Sequence, residues 1–254
     1  MTAGLIVAVV LAILIGVSLG TLGSGGSIIT MPVLVYVAGI PAHAAVGMSL
    51  VIVGTTAAVG SCVQSRTGLF DRRSAVIFAG TGVAGAFAGA RLTHLVPGDV
   101  LMGIFAILML LAGWRMLVRN GLPVGPGSCN VPQCAGVGLL LGVLTGFLGV
   151  GGGFLIVPAL VLFAGLDMKR AVPTSLAIIA FNSLGGLAGQ LRYAQFDWLL
   201  TAAFLSSALI GMLGGTMIAR NLSADHLRRG FAWAIILLGA AIIGQQSLRG
   251  AGII

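Results

Sequence analysis

Ten apolar segments occupy most of this chain of 254 residues and limit what it can fold into. The segments are residues 3–20, 27–40, 43–63, 74–96, 99–118, 132–147, 153–166, 171–189, 198–219 and 225–244. Most of them approach the roughly 20 residues with which a helix spans ~30 Å of hydrocarbon. Charged residues make up only 7% of the chain, whereas a soluble domain carries about 25%. The sequence therefore predicts an all-α polytopic membrane protein.

The second five segments repeat the first five at an offset of 126 residues. Gly20–Pro32 aligns without a gap with Gly146–Pro158. Roughly 30 of about 100 compared positions are identical, far more than a biased composition produces. We therefore divide the chain into a first repeat at 1–118, a linker at 119–131 and a second repeat at 132–254, with five membrane segments in each repeat.

The basic residues indicate whether the short second segment of each repeat crosses the membrane. If all five segments cross, ten of the 13 Lys and Arg residues lie on one side, whereas re-entrant short segments would divide them seven to six. The first arrangement is favoured because basic residues concentrate on the cytoplasmic side. Five is an odd number, so the two repeats are predicted to be inverted, with both termini outside. Many secondary transporters use inverted repeats to alternate between two openings.

A glycine cluster precedes each short segment, at 23–27 and at 149–153. A helix that begins directly after such a turn presents unpaired N–H groups, and its dipole favours an anion. We expect Pro32 and Pro158 to kink the two short helices. The candidate substrate-binding residues here are Ser24, Gly25, Gly26, Ser27, Gly151, Gly152 and Gly153. The alternative is that these glycines only permit tight hairpins and close helix contacts.

Polar residues within the third segment of each repeat extend this candidate site. Ser49 matches Ser175 and Gln64 matches Gln190 at the repeat offset. Asn182 lies between Ser175 and Gln190. Hydroxyl and amide groups suit the oxygens of a small anion, although hydrogen bonds between helices would explain them equally well.

Two arginines, Arg66 and Arg192, follow these third segments. They are candidates for gathering anions at the two mouths of a path. The alternative is that they anchor the helices at the membrane interface or pair with Asp71 and Asp197.

Other functions find little support in the sequence. The three histidines, three cysteines and five aspartates are scattered, so no catalytic residues, metal site or cofactor are expected. Four aspartates (Asp71, Asp99, Asp197 and Asp225) directly precede apolar segments, as helix N-caps do, and Asp167 lies in a loop. The net charge of +8 comes from short loops between segments, which indicates membrane topology rather than nucleic-acid binding.

The most specific motifs of the chain lie in its second repeat. Gly149–Pro158, Ala171–Leu176, Asn182 and Phe196–Trp198 resemble the motifs of the TauE/SafE family of sulfite exporters, and the first repeat matches more loosely. The resemblance covers nearly the whole chain. It implies a transporter of small sulfur-containing anions, such as sulfite, thiosulfate or an organosulfonate, in a bacterial inner membrane. In such a membrane, the termini that the charge distribution places outside would be periplasmic.

The resemblance leaves several questions open. The anion, the direction of transport, the coupling ion and the existence of a homo-oligomer are not given by the sequence. An uptake permease for another small organic anion is one alternative function, and an integral membrane enzyme is another.

Overall fold

The computed structural model describes residues 2–23, 25–65, 68–118, 130–149, 152–191 and 197–219, together with 229–230, 233, 236–237 and 239–244. The described helices are α1 (Thr2–Leu22), α2 (Gly25–Pro32), α3 (Ala42–Ser65), α4 (Arg72–Leu92), α5 (Gly98–Val118), α6 (Val131–Leu148), α7 (Gly153–Phe163), α8 (Met168–Gln190) and α9 (Trp198–Ala219). A π-helical turn, Val33–Val37, extends α2, and a 3₁₀ turn, Thr93–Leu95, extends α4.

Nine of the ten predicted segments coincide with these helices, and the tenth, at 225–244, falls largely outside the described residues. Within the described ranges, α3, α4 with its 3₁₀ turn, α6, α8 and α9 are long and apolar enough to cross a membrane. Shorter apolar helices cover Val10–Thr21, Gly26–Val37 and Gly98–Leu111. The prediction of an all-α fold is therefore confirmed for the described residues, several of whose helices are long and apolar enough to span a membrane.

Helices of the two repeats pack against each other through glycines. A Cβ atom on Gly16 of α1 would lie 2.0 Å from the Ala208 carbonyl oxygen of α9. At the matched positions, a Cβ on Gly142 of α6 would lie 2.2 Å from the Gly82 carbonyl oxygen of α4. Such distances leave no room for any side chain, so the helix backbones touch directly. Small residues allow this close approach inside membranes.

The inner pair of the bundle is formed by α3 and α8, which run antiparallel. Gly60 faces Leu176, whereas Gly186 faces Leu50, so residue order along one helix opposes that along the other. The two helices share one apolar core with α2 and α7, in which Ile28 and Ile156 are buried. The glycine turns before α2 and α7 are thereby placed beside α3 and α8.

Three contacts define which helix ends lie together. The backbone N–H of Asp71, in the α3–α4 connection, donates to Thr174 Oγ1 near the start of α8 at 3.0 Å. The Asp71 carboxylate also lies 4.0 Å from the Arg170 guanidinium. At another position, the Cys134 sulfur near the start of α6 lies 3.8 Å from the Phe163 carbonyl oxygen at the end of α7. Thus the end of α7 lies at the same end of the bundle as the start of α6.

The two prolines of the short helices have different effects. After Pro32 the α-helix gives way to the π-helical turn, whose Ala38 N–H donates to the Val33 carbonyl. By contrast, α7 stays α-helical through Pro158 to its end at Phe163. A change of helix type near the proline therefore occurs in the first repeat and not in the second.

Candidate functional site

Each repeat's glycine turn presses against the inner helix of the other repeat. Gly23 and Gly149 adopt φ angles of 72° and 68°, a left-handed conformation that favours glycine. A Cβ on Gly23 would lie 2.8 Å from the Val172 carbonyl oxygen, and a Cβ on Gly149 would lie 2.2 Å from Val46 Cγ1. Val46 and Val172 are themselves matched at the repeat offset. The two turns therefore make equivalent contacts across the repeats.

Two matched serines each contact the glycine turn of the other repeat. The Ser49 hydroxyl donates to the Gly149 carbonyl, and the Ser175 hydroxyl lies 3.4 Å from the Gly23 carbonyl oxygen. Both serines are fully buried. Each also contacts its own helix, with Ser49 Oγ 2.9 Å from the Val46 carbonyl oxygen and Ser175 Oγ 2.8 Å from that of Val172. A hydroxyl has one proton, so each serine can donate either to its own helix or to the facing turn, and the Ser175 contact with Gly23 is the longer of its two.

The short helices begin where the glycine clusters end. The Gly152 carbonyl accepts from the Leu155 and Ile156 N–H groups, each at 3.1 Å, so that α7 starts from Gly153. In the first repeat α2 starts at Gly25, with Ser27 buried in its first turn. The first N–H groups of a helix lack carbonyl partners within that helix and carry partial positive charge.

Of the other predicted residues near these helix starts and at the two mouths, one packs against a neighbouring helix and four lie outside the described residues. Gly26 packs against α1, since a Cβ there would lie 2.2 Å from the Ile15 carbonyl oxygen. Ser24 and Gly151 lie outside the described residues, as do the predicted mouth residues Arg66 and Arg192.

Asn182 lies at the centre of α8 and is only 2% exposed. Its amide group packs over Gly82 of α4, where a Cβ atom would lie 2.5 Å from Asn182 Oδ1. Neither Asn182 Oδ1 nor the neighbouring Ser183 Oγ has a hydrogen-bond partner among the described residues. A buried polar atom without a partner costs about 1–3 kcal/mol. Asn182 Oδ1 can only accept a hydrogen bond, whereas the Ser183 hydroxyl can donate or accept, so a ligand that carries both donors and acceptors could satisfy these atoms.

The predicted residues form a line rather than a single cluster. From the α3–α8 pairing, Ser49 and Ser175 are separated by about 18 Å along the helix axes. Asn182 lies two turns, or about 10 Å, from Ser175. Ser49, Asn182 and Ser175 thus form a buried polar stripe. The two glycine turns lie at its opposite ends, and Asn182 is close to its middle.

The two predicted glutamines have different surroundings. Gln190 is fully buried and its side chain contacts His94 at the end of α4. The His94 ring in turn stacks on His43, with ring centroids 5.9 Å apart. Gln64 is partly exposed, and its Nε2 donates to the Gly20 carbonyl at 3.3 Å. Equivalent sequence positions therefore do not imply equivalent roles here.

The aspartates act mainly at helix starts. Asp71 and Asp197 accept hydrogen bonds from Ser74 and Leu200 N–H groups, as N-caps do. Asp167, which the sequence placed in a loop, caps α8 through the Arg170 N–H. Asp99 lies within the first turn of α5 instead of at its cap. Asp225 falls outside the described residues.

Gly82 is the contact that sequence reasoning missed. The signal lies in the repeat itself: Asn182 and Gly82 correspond to Thr56 and Ala208. The larger side chain on α8 is matched by a smaller residue on its neighbour. Comparing the two repeats position by position would have identified this paired change.

Comparison with known proteins agrees with the architecture. The sequence matches the family described as "Sulfite exporter TauE/SafE" over residues 8–242. A "Probable membrane transporter protein" of Xylella fastidiosa strain Temecula1 is 36% identical over 240 residues, covering 90% of this chain and 90% of that protein. The "Probable membrane transporter protein YdhB" of Bacillus subtilis strain 168 is 27% identical over 208 residues, covering 80% of this chain and 85% of that protein. No solved structure matches the chain. The chain therefore belongs to the TauE/SafE family and is a membrane transporter.

Proposed function

We propose that this protein is a secondary transporter that exports a small sulfur-containing anion, such as sulfite, thiosulfate or an organosulfonate. The observation that carries the proposal is the crossed pair of contacts between Ser49 and Gly149 and between Ser175 and Gly23. Two equivalent turns, each held by the other repeat, give the bundle two matched ends. Opening one end while the other stays closed would expose the polar stripe to one side at a time.

The packing of the helix ends supports an inverted arrangement of the repeats. If the short segments were re-entrant, the α3–α4 connection and the start of α8 would lie on opposite sides of the membrane. The contacts of Asp71 with Thr174 and Arg170 join these two places. The approach of Cys134 to Phe163 likewise favours a short helix that crosses. With five crossings in each repeat, both termini would be periplasmic in a bacterial inner membrane.

The centre of α8 is our candidate for the substrate contact. Asn182 supplies amide N–H donors and Ser183 a hydroxyl, and both lie about midway between the two turns. The helix starts at Gly25 and Gly153 add partial positive charge toward either end. Such groups stabilise an anion without a full positive charge in the membrane.

We propose that the membrane potential drives export, without a proton or sodium ion. Each described aspartate lies at a helix start, and none lies in the middle of a described helix. An anion that leaves a cell with a negative interior gains about 2.3 kcal/mol per charge per 100 mV. No catalytic step and no cofactor form part of the proposal, and a homo-oligomer is not required for it.

Flux measurements test the proposed function. The purified protein would be reconstituted into liposomes loaded with labelled sulfite, thiosulfate, sulfate or a small sulfonate. We expect efflux of the sulfur-containing anions to accelerate when a potassium gradient with valinomycin makes the interior negative. Flux that needs a pH gradient at zero potential and ignores the potential would contradict potential-driven export. Failure to move any of these anions would contradict the substrate class.

Cysteine labelling tests the inverted arrangement. Leu69→Cys in the α3–α4 connection and Lys169→Cys at the start of α8 would be introduced separately into a variant without native cysteines. Leu95→Cys, in the 3₁₀ turn after α4, serves as the marker for the opposite side of the membrane. We expect a membrane-impermeant reagent to label Leu69→Cys and Lys169→Cys only from the cytoplasmic side, and Leu95→Cys from outside. Labelling of Lys169→Cys from the same side as Leu95→Cys would show that the short segments are re-entrant.

A further inference from the structure

A lateral groove between α4 and α8 lies apart from the polar stripe and encloses about 590 Å³. Its lining includes the small residues Ala75, Ala79 and Ala177. Two larger lining residues, Val76 and Phe181, are 72% and 54% exposed. The groove therefore opens sideways from two helices that are long and apolar enough to cross the bilayer, so its apolar part faces lipid.

The groove has one charged end. Arg72, at the start of α4, is the charged residue among those that line it. The distance along α4 from Arg72 to Val83, the last lining residue on that helix, is about 16 Å. This is close to half of the ~30 Å hydrocarbon core. A phospholipid whose phosphate lay at Arg72 could therefore place an acyl chain along the groove within one leaflet.

The charges at this end favour an anionic headgroup. Arg73, Lys169 and Arg170 lie near Arg72, at the joined ends of α4 and α8. Arg170 is within 4.0 Å of Asp71, whereas no ion pair is formed by Arg72 among the described residues. Anionic lipids attract basic residues at the membrane surface. The guanidinium of Arg72 is thus available for a phosphate.

The other repeat does not preserve this groove. At the matched positions α9 has Trp198 in place of Arg72, Leu205 in place of Ala79 and Ser206 in place of Gly80. The basic group is lost and the floor carries larger side chains. The duplicated fold alone therefore does not account for the groove.

We propose that the α4–α8 groove binds an anionic phospholipid, with the phosphate at Arg72 and one acyl chain over the alanine floor. The site belongs to the leaflet at the Arg72 end of the bundle. The proposal does not depend on which solute the protein transports.

Lipid retention by the purified protein tests the proposal. Wild type and variants would be incubated in detergent with equal amounts of phosphatidylglycerol and phosphatidylcholine, and bound lipid would be counted by native mass spectrometry. We expect wild type to retain phosphatidylglycerol preferentially, and Arg72→Gln to lower that retention about fivefold. The matched control is Arg73→Gln, an adjacent exposed arginine outside the groove lining, which contributes only to the general positive charge at this end and should lower retention much less than Arg72→Gln.

A second pair of variants tests the acyl-chain contact. A Cβ on Gly80 would meet no atom within 4 Å, so Gly80→Leu should fill the groove without a clash and abolish specific retention. Gly136→Leu places the same side chain in open space on α6 and should leave retention unchanged. Equal retention by Arg72→Gln and Arg73→Gln, or undiminished retention by Gly80→Leu, would overturn the proposal. If Gly80→Leu does not fold, the arginine pair alone decides.

Discussion

The two repeats share their scaffold but differ at their centres. Gly23 and Gly149 make equivalent turns, and the matched serines Ser175 and Ser49 contact their carbonyl groups. Midway along the inner helices, however, the second repeat has Asn182 where the first has Thr56. The duplication thus preserves the parts that set the geometry and changes the parts that would meet a solute.

In the proposed function, this difference would assign opening to the matched helix ends and substrate contact to the centre of α8. Under that proposal, a bundle that opens alternately to two sides would need matched ends, which would explain why the turns and serines are repeated. The proposed central site would need no symmetry, because one amide near the middle would contact an anion from either side. Substitutions at the ends and at the centre should therefore affect folding and transport differently.

Loss of the glycine turn should have the largest effect on stability. Gly149→Ala puts an alanine in the left-handed conformation, which destabilises the fold by ~1–2 kcal/mol. The substitution also places a Cβ 2.2 Å from Val46 Cγ1. With overpacking added, we expect about 3 kcal/mol or more of destabilisation, measured by denaturation in detergent. Gly23→Ala should cost less, because its nearest contact is 2.8 Å. Gly39→Ala, with φ of 70° and no atom within 4 Å, isolates the backbone cost. A similar loss in all three variants would contradict the role given to the cross-repeat contact.

Copying the first repeat's centre into the second should separate folding from transport. Gly82→Ala alone should push the Asn182 amide aside and destabilise the protein by about 1–3 kcal/mol. Adding Asn182→Thr, which reproduces the Thr56 and Ala208 pair, should restore the unfolding temperature but not the flux of anions. Gly136→Ala on α6 is the control for an added methyl group in open space. Recovery of flux in the double variant would show that the amide is not required.

The matched serines should have small and equal effects. Ser49→Ala and Ser175→Ala each remove one buried hydroxyl-to-carbonyl bond, which we expect to cost about 1 kcal/mol. Because the serines are about 18 Å apart along the bundle, the double variant should show an additive loss. Ser206→Ala, which removes an exposed bond to Ala203 within one helix, should have almost no effect. Strongly unequal losses for the two buried serines would break the equivalence of the turns.

The ion pair at the helix ends should matter least. Arg170 and Asp71 are 49% and 24% exposed and lie 4.0 Å apart. Solvent weakens such pairs, so Arg170→Gln should change the unfolding free energy by less than about 0.5 kcal/mol. A larger loss in thermal denaturation would indicate that these helix ends depend on the charge pair instead of on the bond from Asp71 to Thr174.

The helices were predictable from sequence because they depend on local properties. Apolar length set the segments, and Asp71 and Asp197 marked helix starts as their capping chemistry requires. The partners of each turn were not predictable, since the contact of Gly149 with Val46 joins residues about 100 positions apart and leaves no periodic signal. Gln64 and Gln190 show a further limit, because Gln190 lies beside His94 whereas Gln64 donates to the Gly20 carbonyl. Their different settings depend on neighbouring helices that the repeat alignment does not describe.

Anion exchange by two central variants tests whether the second repeat contributes the substrate contact. Asn182→Ala and Thr56→Ala remove matched side chains at the centres of α8 and α3, and both would be compared with wild type in liposomes for exchange of labelled sulfite or thiosulfate. Because a hydrogen bond to a charged group is worth about 1.5–3 kcal/mol, we predict at least a tenfold loss of exchange for Asn182→Ala. Thr56→Ala should stay within about threefold of wild type, because its hydroxyl already donates to the Ile52 carbonyl. Equal exchange by the two variants, or a greater loss for Thr56→Ala, would contradict a substrate contact contributed by the second repeat.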